Sequence, residues 1–90
     1  MNKAELIEEV VAETGLTKRT ASEAISAVTD VITDAVARGE RVTLVGFGSF
    51  RVVSRKARRG KNPQTGETIQ IPAKKVPKFR AGKGLRETVG

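Results

Sequence analysis

Between Arg55 and Pro72 the chain reads RKARRGKNPQTGETIQIP, a stretch without Leu, Phe or Met. Five of its first seven residues are basic: Arg55, Lys56, Arg58, Arg59 and Lys61. About a fifth of the chain therefore cannot contribute to a core, and the rest must fold around an excursion. Asn62-Pro63-Gln64-Thr65-Gly66 has turn chemistry: Asn suits the first position, Pro the second, and Gly66 ends the turn. Short alternating runs on either side predict a two-stranded ribbon. An isolated hairpin is marginal in water, and repulsion among like charges opposes it further. Such a ribbon is expected to be mobile when free and ordered by a partner that supplies negative charge.

The remaining sequence reads as one small domain. At 90 residues a chain buries only about 60–65% of its unfolded surface. There is no Cys and no His, which removes disulfides and the usual zinc ligands. A second subunit is the expected source of extra core. Asn2 caps a predicted helix over 3–14, with Glu5 in a capping-box position and Gly15 as its stop. Thr17 caps a second helix, in which Ala21, Ala24, Ile25, Val28, Val31, Ile32, Ala35 and Val36 recur at helical spacing up to Gly39. Its apolar stripe is wider than the first helix can cover, which again calls for a partner subunit. Strands are predicted over 41–45 and 51–54, with a hairpin near Gly46 to Gly48. The second strand is expected to run unbroken into the basic stretch. A return strand over 67–71, a further strand over 76–80 and a short terminal helix over 82–89 complete the chain.

Charge is split along the sequence. Residues 1–45 hold five basic and eight acidic side chains, a net of −3; residues 46–90 hold twelve and two, a net of +10. The second half is thus expected to meet a polyanion. The duplex phosphate backbone fits, with one charge per about 1.7 Å. The N-terminal MNKAELIEEVVAET has charges where a secretory signal would be apolar. No run approaches the roughly 18–20 apolar residues of a membrane span. A soluble, intracellular protein is expected.

Pro63 carries two compatible readings: it is a good turn residue, and at the tip of a basic arm it is also an exposed apolar ring that can wedge between base pairs. Gly46 and Gly48 form a lone G-x-G, and Arg51 stands where a dinucleotide loop needs its third glycine. Phe47, Phe50 and Phe79 could stack on bases, but as the only aromatic residues they are read as core beneath the second helix. Lys83 and Arg86 lie where a helix start could favour phosphate; a solvated helix face explains them as well. Without His or Cys the commonest catalytic base and thiol nucleophile are absent. No enzyme, cofactor, metal site or small-molecule substrate is expected.

Four segments carry a family likeness: MNKAELI at 1–7, VTLVGFGSF at 42–50, RKARRGKNPQTGETIQIPA at 55–73 and VPKFRAGKGLRETV at 76–89. Over essentially its whole length the chain resembles the HU family of bacterial DNA-binding proteins, within the HU/integration-host-factor superfamily. The resemblance implies an α+β intertwined homodimer. Its N-terminal helix pair lies under a β-sheet saddle, with one protruding basic arm per subunit and a short C-terminal helix. Three parts are implied: 1–45 for dimerisation and the first strand, about 52–75 for a flexible arm, and 76–90 for the return strand and terminal helix. It implies a histone-like architectural protein of the bacterial nucleoid, in the cytoplasm. Such a protein binds double-stranded DNA through the minor groove with little sequence preference, bends and compacts it, and favours nicked or distorted DNA. Carried over by position, Pro63 is the intercalating wedge. Arg55, Arg58 and Lys61 are arm contacts to the groove and phosphates, and Arg51, Lys56, Arg59 and Asn62 are further DNA-binding positions. Lys74, Lys75, Arg80, Lys83 and Arg86 are body contacts, with Lys3 and Lys18 weaker candidates. Phe47, Phe50, Phe79, Val28, Ile32 and Leu44 match dimer-core positions. Two residues depart from the family pattern: Lys61 stands where Arg is usual and loses the planar fork, and Ser49 stands where Thr is common.

Rival readings use the same residues. One is the sequence-specific branch of the superfamily, which works as a heterodimer; pairing with a paralogue stays open here too. Another is an RNA-binding or ribosome-associated protein, since basic hairpins also serve RNA. A surface adhesin for polyanions or membranes finds no basic amphipathic helix to support it.

Overall fold

The computed structural model describes residues 1–90. Helices and antiparallel strands make an α+β fold in the order α1 (Lys3–Thr14), α2 (Lys18–Ala37), β1 (Val42–Leu44), β2 (Gly48–Arg55), β3 (Arg58–Lys61), β4 (Thr68–Ile71), β5 (Lys74–Ala81) and α3 (Lys83–Val89). The chain divides into two compact units, Met1–Asp34 and Ala35–Gly90.

In the first unit the helix ends follow local chemistry. The Asn2 side chain accepts a hydrogen bond from the Glu5 amide at 2.9 Å. This satisfies one of the amides that a helix start leaves unpaired. Gly15 closes α1 by donating its N–H to the Val11 carbonyl at 2.8 Å. Thr17 Oγ1 accepts from the Thr20 amide at 3.1 Å and so caps α2. Ile7 of α1 and Ala21 of α2 are buried. The Lys3 Nζ donates to Ser26 Oγ at 2.9 Å, tying the two helices together. α2 runs for 20 residues, about 30 Å at 1.5 Å per residue. No helix is long and apolar enough to cross a membrane.

In the second unit β1, β2 and β5 form one antiparallel sheet in the order β1-β2-β5, while β3 and β4 pair as a separate two-stranded ribbon. The β2–β5 register runs from Gly48↔Ala81 to Arg55↔Lys74. The ribbon register runs from Arg58↔Ile71 to Lys61↔Thr68. The expected unbroken strand is therefore interrupted at Lys56-Ala57, opposite Pro72-Ala73. Pro72 has no N–H to donate to the ladder at this point. β5 also begins at Lys74, two residues before the expected strand, because Lys74 and Lys75 pair with Arg55 and Ser54.

The three Phe rings gather on one face of the sheet. Phe79 lies 4.9 Å from Phe50 and 5.6 Å from Phe47, centroid to centroid, with tilted planes. The single chain does not bury them as expected. Phe47 and Phe79 remain 48% and 45% exposed, and Leu44, Val28 and Val31 are also exposed. The buried apolar residues of the chain are Ile7, Ala21 and Ala35, and no large side chain is fully enclosed. Gly48 is required where the sheet meets the rings: a Cβ there would lie 2.6 Å from the Arg80 carbonyl oxygen and run into the Phe79 ring.

Candidate nucleic-acid interface

The ribbon tip is built by Asn62. Its backbone N–H donates to the Glu67 carbonyl and its own carbonyl accepts from the Gly66 amide, both at 2.8 Å. Its Oδ1 accepts from the Gln64 amide at 2.9 Å, so that oxygen is spent on the turn. Thr65 Oγ1 accepts from the Glu67 amide at 3.3 Å. Gly66 sits at φ 72°, a left-handed conformation that suits glycine. Held by these bonds, Pro63 is exposed at the tip. The turn geometry thus presents the ring outward.

Strand alternation sorts the ribbon cations. Arg58 shares a face with Gly60, Ile69 and Ile71, whereas Arg59 and Lys61 share the opposite face with Gln70 and Thr68. Arg58 and Lys61, grouped together by sequence, are thus divided. Lys56 lies in the break between the two sheets.

On the larger sheet, Arg51, Arg55, Lys74 and Arg80 share the face opposite the Phe50–Phe79 pair. Lys75 does not join them: it pairs with Ser54 on the Phe side. Lys78 does join them and was missed by sequence reasoning. The signal was present in KKVPKFRA, where Lys74, Lys78 and Arg80 fall on one parity of the strand.

Arg80 and Arg86 line a shallow open cleft of about 210 Å³, together with Thr43, Gly46 and Ser49. The start of α3 is less open to an anion than the sequence suggested, because the Leu85 amide already donates to the Gly46 carbonyl at 3.0 Å. Lys83 reaches Glu87 at 3.9 Å, a loose exposed pair worth little in water. Lys18 and Lys3 belong to the helices of the first unit, Lys3 bonded to Ser26. The ion pairs of the chain are Arg19–Glu23, Arg38–Glu40 and Lys83–Glu87. Every cation of the ribbon and of the larger sheet is therefore without a carboxylate partner.

A basic ribbon with an apolar tip, rising beside a sheet with one cationic face, defines a class of nucleic-acid-binding fold. The chain belongs to the family described as Bacterial DNA-binding protein, whose family model matches residues 1–90. Within that class its relatives are proteins called DNA-binding protein HU. Those of Geobacillus stearothermophilus and Staphylococcus aureus (strain COL) are 53% and 52% identical over 89 residues, 99% of this chain and 99% of each relative. An Anabaena HU–DNA cocrystal structure matches with a TM-score of 0.92 at 49% identity, covering 100% of this chain and 98% of that one. HU from Thermotoga maritima matches with a TM-score of 0.73 at 36% identity, covering all of both chains.

Proposed function

We propose that this chain is a histone-like architectural protein that binds double-stranded DNA with little sequence preference and bends it. The observation that carries this reading is the ribbon. Arg58, Arg59 and Lys61 flank an exposed Pro63, and none of them has a carboxylate partner in the chain. The likeness to a structure solved with DNA supports it.

Phosphate neutralisation supplies most of the affinity and makes it steeply salt-dependent. Pro63 enters a base step from the minor groove and unstacks it. That step costs a few kcal/mol, offset by the contacts that bent DNA allows. Nicks, gaps and mismatches lower the cost, so distorted DNA binds better. A minor groove distinguishes little beyond A·T from G·C, hence the weak sequence preference. Arg55, Lys56, Arg58, Arg59, Lys61 and Asn62 form the arm surface; Arg51, Lys74, Lys75, Arg80, Lys83 and Arg86 extend it on the body. The arm spans about 52–75 and orders on DNA.

The working unit is a homodimer. Three buried apolar residues cannot stabilise a chain this small, while Val28, Leu44, Phe47 and Phe79 stay exposed for a second copy to cover. Ile32 and Phe50 are half-buried and are assigned to the same proposed interface. The site of action is the bacterial nucleoid. No catalytic role is assigned, since the chain lacks the usual base and thiol nucleophile.

Fluorescence anisotropy with a labelled duplex of about 30 base pairs, intact and centrally nicked, tests the reading across a salt series. Tight, salt-steep binding that favours the nicked duplex is expected. Equal binding to both would leave a charged coat without a wedge. Stronger binding to structured RNA would replace the reading with an RNA-binding one.

A further inference from the structure

We propose that Glu67 is a base-reading residue. Where Pro63 opens a base step, the Glu67 carboxylate accepts a hydrogen bond from the 2-amino group of a guanine in the adjoining base pair. The inference rests on the DNA-binding reading above and adds to it one position at which a G·C pair is favoured.

An acid is out of place on this arm. From Arg51 to Lys75 eight residues are basic, and Glu67 alone is acidic. Its charge repels phosphate, and nothing in the chain offsets it: Glu67 is exposed, and the ion pairs all lie elsewhere. Nor does the carboxylate build the turn. Glu67 serves the turn through its backbone, whose carbonyl accepts from the Asn62 N–H at 2.8 Å and whose amide donates to Thr65 Oγ1 at 3.3 Å. The side chain is left for another partner.

Register decides which way it faces. The bond between Asn62 and Glu67 adds one rung to the ribbon beyond Lys61↔Thr68. By alternation Glu67 then falls on the face of Arg58, Gly60, Ile69 and Ile71, opposite Arg59 and Lys61. That face suits the floor of a minor groove. Gly60 lacks a side chain, Ile71 lies so near that a Cβ on Gly60 would stand 3.1 Å from its Cδ1, and Ile69 is exposed. A thin apolar surface fits sugars and base edges closely, whereas Arg59 and Lys61 suit the phosphate walls. Opposed residues lie about 5.5 Å apart and successive Cα atoms about 3.8 Å, so Glu67 stands within about 9 Å of Pro63. It follows the wedge into the groove.

The chemistry of the floor then selects the partner. A·T and T·A pairs show only acceptors there, and the guanine 2-amino group is the one donor among the base edges. Arg58 can only donate, and Oδ1 of Asn62 is taken by the Gln64 amide. Glu67 is thus the side chain of this face with acceptor oxygens to spare. Beside an A·T pair its carboxylate loses water and gains nothing. Beside a G·C pair it gains a charge-assisted hydrogen bond.

The test uses the full chain and a labelled duplex of about 30 base pairs with a central nick, which sets the step that Pro63 enters. The pairs flanking the nick are G·C in one duplex and inosine·C in the other, so that only the 2-amino groups differ. Anisotropy gives the ratio of the two affinities for the wild type, for Glu67→Ala and for Gln70→Ala on the opposite face. The 2-amino group also crowds the groove for any arm, so the ratio is compared between proteins. The preference for G·C over inosine·C is expected to fall about three- to tenfold in Glu67→Ala and to stay at the wild-type value in Gln70→Ala. Equal ratios in the wild type and Glu67→Ala overturn the proposal. That holds even if the variant binds both duplexes more tightly, which would make Glu67 a repulsive charge and nothing more. An equal fall in Gln70→Ala also overturns it, because the other face would then lie on the floor. A wild type that fails to bind the nicked duplex overturns the DNA-binding reading itself.

Discussion

The sheet β1-β2-β5 carries three aromatic rings on one face, while the ribbon β3-β4 has only Ile69 and Ile71 over Gly60. Both are antiparallel and both are rich in cations. The sheet has a reason to hold its register without a ligand, and the ribbon has almost none. The difference teaches where this chain has placed its rigidity: ring contacts fix the cations of the sheet, whereas the ribbon cations wait on a partner. Substitutions at matched positions can break or sharpen this contrast.

The largest effect is expected at Phe79, which touches both of the other rings. Phe79→Ala should lower unfolding free energy by about 3 kcal/mol or more. Urea unfolding followed by circular dichroism at two protein concentrations measures it. Phe79 is 45% exposed in the single chain. A loss of that size, growing at low concentration, would place the ring in a subunit interface. A negligible loss would mean that backbone pairing alone holds the sheet, and the contrast would fail.

Two glycines give the next comparison. At Gly48 an added Cβ meets the Arg80 carbonyl oxygen at 2.6 Å, and backbone there cannot move aside. At Gly60 it meets the Cδ1 of Ile71 at 3.1 Å, the far end of a flexible side chain. Gly48→Ala should cost about 1–3 kcal/mol, and Gly60→Ala no more than about 0.5 kcal/mol. Equal costs, by the same unfolding measurement, would show the ribbon to be as tightly built as the sheet.

How much of this was legible follows the reach of each interaction. The caps at Asn2, Gly15 and Thr17 and the turn from Asn62 to Gly66 are local, and their side chains announce them. The charge split and the family likeness pointed to the polyanion partner. What sequence reasoning did not reach depends on pairing across distance. The separation of Lys75 from Lys74 and the division of Arg58 from Lys61 follow from alternation once pairing has set the strand bounds, and the opposition of Arg51 and Lys78 follows from the β2–β5 register. Register is fixed by ring contacts between Phe50 and Phe79, which no short window of sequence contains. The rings were read as core beneath the second helix from residue type and as dimer core from the family resemblance; the 48% and 45% exposure of Phe47 and Phe79 in the single chain is not explained by the first reading.

On the ribbon, Arg58→Ala should leave unfolding unchanged and weaken binding to all duplex sequences by about 1 kcal/mol, with a salt slope reduced by about one. A loss restricted to one sequence would turn Arg58 from a backbone contact into a base reader, and the ribbon would then be more precisely built than the sheet.

On the binding side, the smallest change in affinity is expected at Pro63. The tip turn is held by backbone and side-chain bonds from Asn62 and Thr65, none of which requires the proline ring. Pro63→Ala should therefore keep the turn and the ribbon charge intact. It removes the apolar surface that separates a base step, so the duplex avoids the unstacking cost but loses the bend. These two terms oppose each other, and net affinity should fall by about 1 kcal/mol or less. The bend angle, read by energy transfer between dyes at the duplex ends, should fall clearly. On a centrally nicked duplex, where unstacking is already cheap, the difference between Pro63 and Ala should shrink. A bend equal to that of the wild type on intact DNA would show that charge neutralisation alone curves the duplex, and that the exposed ring is only a turn residue.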